Sequence, residues 1–247
     1  MLAKRIIPTL LCRGRQLVKG IAFDSWRSVG LAAQAVRIHS MRGVDELVLL
    51  DITATQEGRG PDLDLVKELS EVCFMPLSVG GGVRSIEDAR ALLAAGADKI
   101  VIGSGHNEID DLTYRLSSMF GSQAIAVAID VKRGNYCTRN GKHDTQISAK
   151  RAAMGAAACG AGEIILTSID REGTLLGYDL DLIESISRSV SIPVIANGGC
   201  GSYEHMNQAI EAGADAVAAG AMFQFCEATP KGAAEYLNSK GVEARIA

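Results

Sequence analysis

The chain has 247 residues, of which 47% are hydrophobic, and its 25 Lys and Arg against 29 Asp and Glu give a net charge of −4. This length allows one large α/β domain or two small ones with a sizeable core, and the acidic balance disfavours nucleic acid as a partner. No stretch reaches the roughly 20 apolar residues of a membrane helix, so we expect a soluble cytoplasmic protein with reduced cysteines that binds no membrane.

Eight short apolar runs recur along the chain with helical patterns between them. In chain order the runs are RIIPTLL, ELVLLDI, MPLSVG, KIVIGS, AIAVAID, EIILTSI, IPVIANG and AVAAGAMF. Each is continuously apolar, which is typical of parallel strands buried on both faces. The intervening segments, such as SIEDARALLAAGA and DLDLIESISRSV, begin with a capping Ser or Asp. Eight βα units predict an α/β fold, a single (β/α)₈ TIM barrel over residues 1–247.

An internal repeat divides the predicted barrel into two halves. The segment PLSVGGGVRSIEDARALLAAGADKIVIGS aligns without a gap with PVIANGGCGSYEHMNQAIEAGADAVAAGA, and both carry Gly-Gly, then Ser, then Ala-Gly-Ala-Asp. At the same offset Glu46 of ELVLL lies over Glu163 of EIILT. We therefore expect two half-barrels, covering about residues 1–120 and 121–247.

Glycine-rich turns follow several predicted strands and are repeated in both halves. Glycine lets backbone N–H groups approach an anion closely, so each half is expected to form one phosphate cradle, although tight βα turns also use glycine for structural reasons. A phosphorylated small molecule with a phosphate at each end would fit such a pair. The residues of the first cradle are Gly82, Gly103 and Ser104, and those of the second are Gly173, Gly199, Gly220 and Ala221.

Carboxylates end two of the predicted strands, Asp51 after ELVLL and Asp130 after AIAVAI. A strand-end Asp often caps the next helix, but Asp130 is followed by the long polar segment VKRGNYCTRNGKHDTQIS, as expected of a loop that covers a substrate. Trp26 is interpreted as a packing or surface aromatic. The four histidines are dispersed, so neither a metal nor another cofactor is expected.

The whole chain resembles a known family, the cyclase subunit of imidazole glycerol phosphate synthase. The resemblance rests on MLAKRIIP, ELVLLDITAT, VGGGVRSIEDAR, GSQAIAVAID, GAGEIILTSIDREGT, GYDLDLI and SIPVIANGG. It implies a lyase of histidine biosynthesis that uses ammonia from a partner glutaminase, a class I amidotransferase. Ammonia adds to a substrate with a phosphate at each end, and the products are imidazole glycerol phosphate and an aminoimidazole carboxamide ribotide.

The resemblance also implies roles for individual residues. Asp130 matches a catalytic Asp that acts as a general acid or base, and Lys19, Asp51 and Thr167 match positions in the site. A ring of four charges that gates ammonia entry at the N-terminal face, where the glutaminase docks, is matched by Arg5, Glu46, Lys99 and Glu163. From the residues alone, these four begin predicted strands and are two of each sign, so they form either salt bridges across the barrel mouth or ordinary solvated charges.

The main departure from the family is Leu11, which we expect to be the last residue of the first strand. It is the repeat mate of Asp130, where the family has a second catalytic Asp, and a leucine cannot transfer a proton. Other departures lie on the same face, where the family's Asn-Thr, Asp, Ser and Ser are replaced here by Gly103 and Ser104, Glu172, Asn197 and Ala221.

Three functions remain open at this point. The favoured one is a paralogue resembling the cyclase-like proteins of surface-polysaccharide clusters, which lack the first Asp and serve, with a glutaminase, the amidation of a sugar. The alternative is an active cyclase of histidine biosynthesis that relies on Asp130. The third, the neighbouring isomerase of that pathway, needs the first Asp and has no charged gate.

Overall fold

Eight parallel strands close into a ring in the computed structural model, which describes residues 3–245. This confirms the predicted (β/α)₈ TIM barrel: β1 pairs with β12 and β4, and β7 pairs with β10. The described strands are β1 (Arg5–Arg13), β2 (Gln16–Ile21), β3 (Asp24–Leu31), β4 (Leu47–Asp51), β5 (Leu77–Gly80), β6 (Lys99–Ile102), β7 (Ile125–Lys132), β8 (Asn135–Thr138), β9 (His143–Ser148), β10 (Glu163–Ser168), β11 (Val194–Asn197) and β12 (Ala216–Ala219).

Helices connect successive barrel strands and cover the ring. The side chains of Ser85 and Asp179 accept backbone N–H bonds at the starts of two of them, as the capping pattern predicts. No helix in residues 3–245 is long and apolar enough to cross a membrane. The described helices are α1 (Ala32–Met41), α2 (Leu63–Ser70), α3 (Ile86–Ala94), α4 (Gly105–Glu108), α5 (Leu112–Phe120), α6 (Ala149–Ala158), α7 (Leu180–Ser187), α8 (Tyr203–Glu211), α9 (Ala221–Phe225) and α10 (Pro230–Ser239), with a 3₁₀ turn at Ser122–Ala124.

Two strands continue beyond the barrel, which corrects the expectation that Leu11 ends the first strand. Leu11 pairs with Leu50 inside the ring, and β1 then runs on to Arg13 and pairs with β2. In the same way β7 runs past Asp130 to Lys132 and pairs with β8. The strands β2 and β3 form a first hairpin and β8 and β9 a second, so each half of the barrel carries one hairpin above its first strand.

The barrel interior is filled by small and β-branched side chains. Ile7, Val48, Ile165 and Ile195 form a cluster inside the ring together with several alanines. Two larger clusters lie outside the ring, between the strands and the helices of each half. Close packing of this kind makes the interior sensitive to an added methyl group.

Gly80 provides a direct test of that packing. A Cβ added there would lie 2.8 Å from the Cβ of Val101 and 2.9 Å from a methyl group of Leu50. We expect Gly80→Ala to lower the free energy of unfolding by roughly 1–3 kcal/mol, because an extra methyl group strains a filled core. Gly155→Ala on α6 is the control: the nearest atom is 4.0 Å away, so this change should be neutral or stabilise the helix by up to about 1 kcal/mol. Urea unfolding of both variants measures the difference, and equal midpoints would contradict the packing argument.

Candidate active site

A pocket of about 820 Å³ opens at the C-terminal end of the barrel strands. Barrel geometry gathers the ends of all eight strands at this face, so residues distant in sequence meet there. Seven predicted site residues line it: Asp51, Gly82, Gly103, Ser104, Asp130, Thr167 and Asn197.

The polar wall of the pocket is built on three neighbouring strands. Asp130 of β7, Thr167 of β10 and Asn197 of β11 are partners in strand register, so they point the same way. The amide of Asn197 donates to the hydroxyl of Thr167 at 3.1 Å. Burial raises the pKa of Asp130 to about 7, with Glu172 adding to the rise and a hydrogen bond with Thr167 opposing it. A carboxyl group with such a pKa is suited to giving and taking protons near neutral pH.

The opposite wall is apolar and contains Leu11. This side chain is only 6% exposed and belongs to a cluster with Val18 and Ile52, against which Leu50 and Trp26 pack. Leu11 is therefore held by contacts with other apolar side chains and presents a hydrocarbon surface to the pocket.

Asp51 is committed to its own turn. Its Oδ1 accepts from the N–H of Thr53 at 2.9 Å and from the Thr53 hydroxyl at 3.0 Å, and its Oδ2 lies 2.7 Å from the Arg59 guanidinium. These contacts orient the turn after β4, and Asp51 also lines the pocket.

The first cradle lies open to the pocket. Gly82 has a φ of +75°, and a Cβ there would collide with the backbone of Arg59 and Gly60. Gly103 has open space around its Cβ position, and the Ser104 hydroxyl accepts from the N–H of Arg139 at 2.8 Å.

The second cradle is covered by the first hairpin, and its residues do not line the pocket. The N–H of Ala22 donates to the carbonyl of Glu172 at 2.9 Å, and a Cβ at Gly220 would collide with the Lys19 ammonium. Lys19 is 2% exposed and donates to the carbonyl of Thr9 at 3.2 Å. The hairpin covers Gly173 and Gly220, and Gly199 is covered by Gly177 and Arg171 of the segment after β10. The following predicted site residues do not line the pocket: Lys19, Gly173, Gly199, Gly220 and Ala221.

The sequence did not indicate every lining residue. Phe23 and Trp26 of the first hairpin and Asn140 of the second are among those it missed, whereas Glu172, in the turn after β10, lies on the face where the resemblance implied it. Asn140 also donates to the carbonyl of Ile52 and so ties the second hairpin to the turn after β4. The long polar segment after Asp130 did indicate a covering element, whereas nothing in the pattern of residues 16–31 was interpreted as a hairpin.

A ring of four charged side chains lies at the opposite, N-terminal face. Glu46 contacts the Arg5 guanidinium at 2.5 Å and the Lys99 ammonium at 2.9 Å, and Glu163 contacts the same two cations at 2.7 and 2.8 Å. Glu46 also accepts from the Ser78 hydroxyl at 2.6 Å. Burial of Glu163 raises its pKa, but Arg5 and Lys99 outweigh this effect and hold the pKa below its usual value.

Comparisons with known proteins place the chain among relatives that match its full length. A family model described as "Histidine biosynthesis protein" matches residues 5–229. Proteins named imidazole glycerol phosphate synthase subunit HisF are similar to the chain: that of Dictyoglomus thermophilum is 46% identical over 100% of both chains. The relative in Endomicrobium trichonymphae is 45% identical over 99% of this chain and 96% of its own length. One in Caulobacter vibrioides is 43% identical over 100% of this chain and 97% of its own length.

The ring of charges predicts a large effect of one substitution. Glu46→Gln removes a buried charge that faces two cations, so we expect the free energy of unfolding to fall by roughly 3 kcal/mol. The matched control is Glu184→Gln, whose partner Arg188 lies on the exposed face of α7, and which should cost less than about 1 kcal/mol. Urea unfolding at neutral pH measures both. A loss at Glu46 no larger than that at Glu184 would show that the ring contributes nothing to stability.

Proposed function

The chain belongs to the histidine biosynthesis protein family, and from this premise we propose that it is the cyclase-type subunit of an imidazole glycerol phosphate synthase. In this function it takes ammonia and a phosphorylated substrate and forms imidazole glycerol phosphate and an aminoimidazole carboxamide ribotide. The observation that carries the proposal is Asp130, a half-buried carboxyl group that lines the pocket from β7, in register with Thr167. Burial raises its pKa to about 7.

Substrate phosphates are proposed to bind at the two glycine-rich cradles. The first, formed by Gly82, Gly103 and Ser104, is open to the pocket and offers backbone N–H groups and a hydroxyl. The second, at Gly173, Gly199, Gly220 and Ala221 with Lys19 above it, requires the first hairpin to move away from these glycines before a second phosphate binds.

Ammonia is proposed to enter from the N-terminal face through the ring of Arg5, Glu46, Lys99 and Glu163. Beyond the ring lies the interior cluster of apolar side chains, which a neutral ammonia molecule crosses at lower cost than an ammonium ion. A class I glutaminase seated on this face would deliver ammonia directly, so we propose a heterodimer with such a subunit.

Leu11 supports a second candidate function, in which the barrel passes ammonia onward for the amidation of a surface sugar. Half of the carboxylate pair that the resemblance implies is missing here, as in the paralogues of polysaccharide clusters. The names of the three relatives described above give this function no support and favour histidine biosynthesis.

An assay with ammonium and the histidine-pathway substrate tests the cyclase function and bypasses the glutaminase. We expect turnover roughly 10²- to 10⁴-fold slower than in an enzyme with both carboxylates, because one positioned acid–base group contributes that much. Asp130→Asn should abolish the activity, and Leu11→Asp should raise it. Turnover that is absent in the wild type and is not rescued by Leu11→Asp would overturn the cyclase function and favour the second candidate.

A glutaminase encoded beside this chain should bind it and become faster on binding. Contact with the barrel closes the ammonia path and links the two active sites, which is the physical reason for activation. Co-purification and glutamine hydrolysis measure both effects, with Lys142→Glu on the opposite, C-terminal face as the control that leaves binding intact. Absence of a complex together with an unchanged hydrolysis rate would contradict the proposed partner.

A further inference from the structure

Three carboxylates line the pocket within residues 3–245: Asp51, Asp130 and Glu172. Asp51 is engaged by Arg59 and by its own turn, which leaves Asp130 and Glu172. We propose that Glu172 is the second acid–base residue of this pocket and supplies the function that Leu11 cannot perform. This inference rests on the proposed cyclase function.

The backbone of Glu172 is fixed from two sides. Its N–H donates to the carbonyl of Ser168 at 3.0 Å, and its own carbonyl accepts from Ala22 of the first hairpin. Gly173 follows with a φ of +75°, in a place where a side chain would collide with the hairpin backbone. While the hairpin is closed, the turn therefore holds Glu172 between the barrel and the hairpin, and the bond to Ser168 remains when the hairpin moves.

The side chain of Glu172 reaches over the end of β11. Its Oε2 lies 3.5 Å from the Cβ position of Gly198, directly after Asn197. Glu172 and Asn197 line the same pocket as Asp130, and the Glu172 residue is only 8% exposed. Glu172 and Asp130 are thus two carboxyl groups of one pocket, which is the first requirement for a pair that transfers protons to and from one substrate.

Charged and titratable groups face Glu172 from three elements: Lys19 of β2, Asp130 of β7 and Tyr178 of the segment before α7. Burial raises the pKa of Glu172, and the Lys19 ammonium opposes the rise. Burial also lowers the pKa of Lys19, while Glu172 opposes this fall. Lys19 and Glu172 thus favour each other's charged forms.

Asp130 is faced by Glu172 and, from β8, by Tyr136 and Cys137. Negative charge on Glu172 favours the protonated form of Asp130, whereas the positive charge of Lys19 favours the carboxylate of Glu172 and opposes the rise in pKa that burial causes. We therefore assign the acid to Asp130 and the base to Glu172, two carboxyl groups that line the same pocket in unequal surroundings.

The proton balance of the first step follows from this assignment. The ammonia nitrogen forms a C–N bond with a carbonyl carbon of the substrate, and the π pair of the carbonyl moves to its oxygen. That oxygen takes the proton of Asp130, and Glu172 takes a proton from the attacking nitrogen. The step leaves a neutral aminoalcohol and exchanges the protonation states of the two carboxyl groups.

Substitution of Glu172 tests the role with saturating ammonium. Glu172→Gln should lower kcat about 10²-fold or more with little change in KM, whereas Glu172→Asp should retain part of the activity. Leu11→Asp added to Glu172→Gln should restore at least about tenfold, because it returns a carboxylate to the pocket. Glu227→Gln, at an exposed residue that does not line the pocket, is the matched control with unchanged kcat.

A titration of Asp130 tests the coupling of the pair without turnover. With ¹³C-labelled aspartate and Asp130→Asn for assignment, the NMR titration midpoint of Asp130 should be about 7 in the wild type. It should fall in Glu172→Gln, since the negative charge that opposes ionisation of Asp130 is removed, and stay constant in Glu227→Gln. The dependence of kcat/KM on pH should change in the same way: the part of the profile that reflects ionisation of Asp130 should move to lower pH in Glu172→Gln.

The outcomes separate this inference from the proposed function. Wild-type activity in Glu172→Gln, or an unmoved Asp130 midpoint, would overturn the role of Glu172 while the cyclase function stands. Absence of turnover in the wild type together with a lowered midpoint in Glu172→Gln would overturn the cyclase function and support the coupled pair. A simple structural role for Glu172 predicts loss of folding in Glu172→Gln and no selective effect on kcat, which thermal unfolding of the variant distinguishes.

Discussion

Closure of eight parallel strands into a ring is the constraint on which this molecule depends. Every strand of the ring has two neighbours, so no edge is left unpaired, and the strand ends are held at fixed distances around one mouth. Because the ring fixes register, Asp130, Thr167 and Asn197 face the pocket together although they are far apart in sequence. The same register brings two positively and two negatively charged side chains into contact at the N-terminal face.

Much of this architecture follows from the sequence, because buried parallel strands have a strong pattern. All eight apolar runs became barrel strands, and the capping residues Ser85 and Asp179 mark helix starts. The strand-end part of the candidate site could also be predicted from the sequence, since strand-end residues such as Asp130 and Gly82 must converge in a barrel. The first hairpin could not be inferred in this way: β2 and β3 are irregular, with shifts in their pairing, and their residues are stabilised by tertiary packing rather than by local alternation.

The two walls of the pocket are stabilised in different ways. On one wall the pKa of the Asp130 carboxyl group is raised, chiefly by burial, because a desolvated carboxylate is costly. On the other wall Leu11 makes side-chain contacts with Val18 and Ile52, at the position where the resemblance implies a second carboxylate. The pocket is consequently polar on the side of β7, β10 and β11, whereas Leu11 of β1 gives it an apolar surface on the opposite side. A ligand must present matching surfaces.

The contact between Leu11 and the first hairpin has a thermal consequence. Val18 and Trp26 of that hairpin pack with Leu11, so the hairpin is held over the second cradle partly by apolar burial. Such burial is driven by solvent entropy near room temperature, carries a negative heat-capacity change and weakens on cooling. Warming, within the range where the barrel stays folded, therefore favours the arrangement in which the first hairpin packs over the second cradle. Cooling weakens this packing and favours exposure of the buried Lys19 ammonium to water.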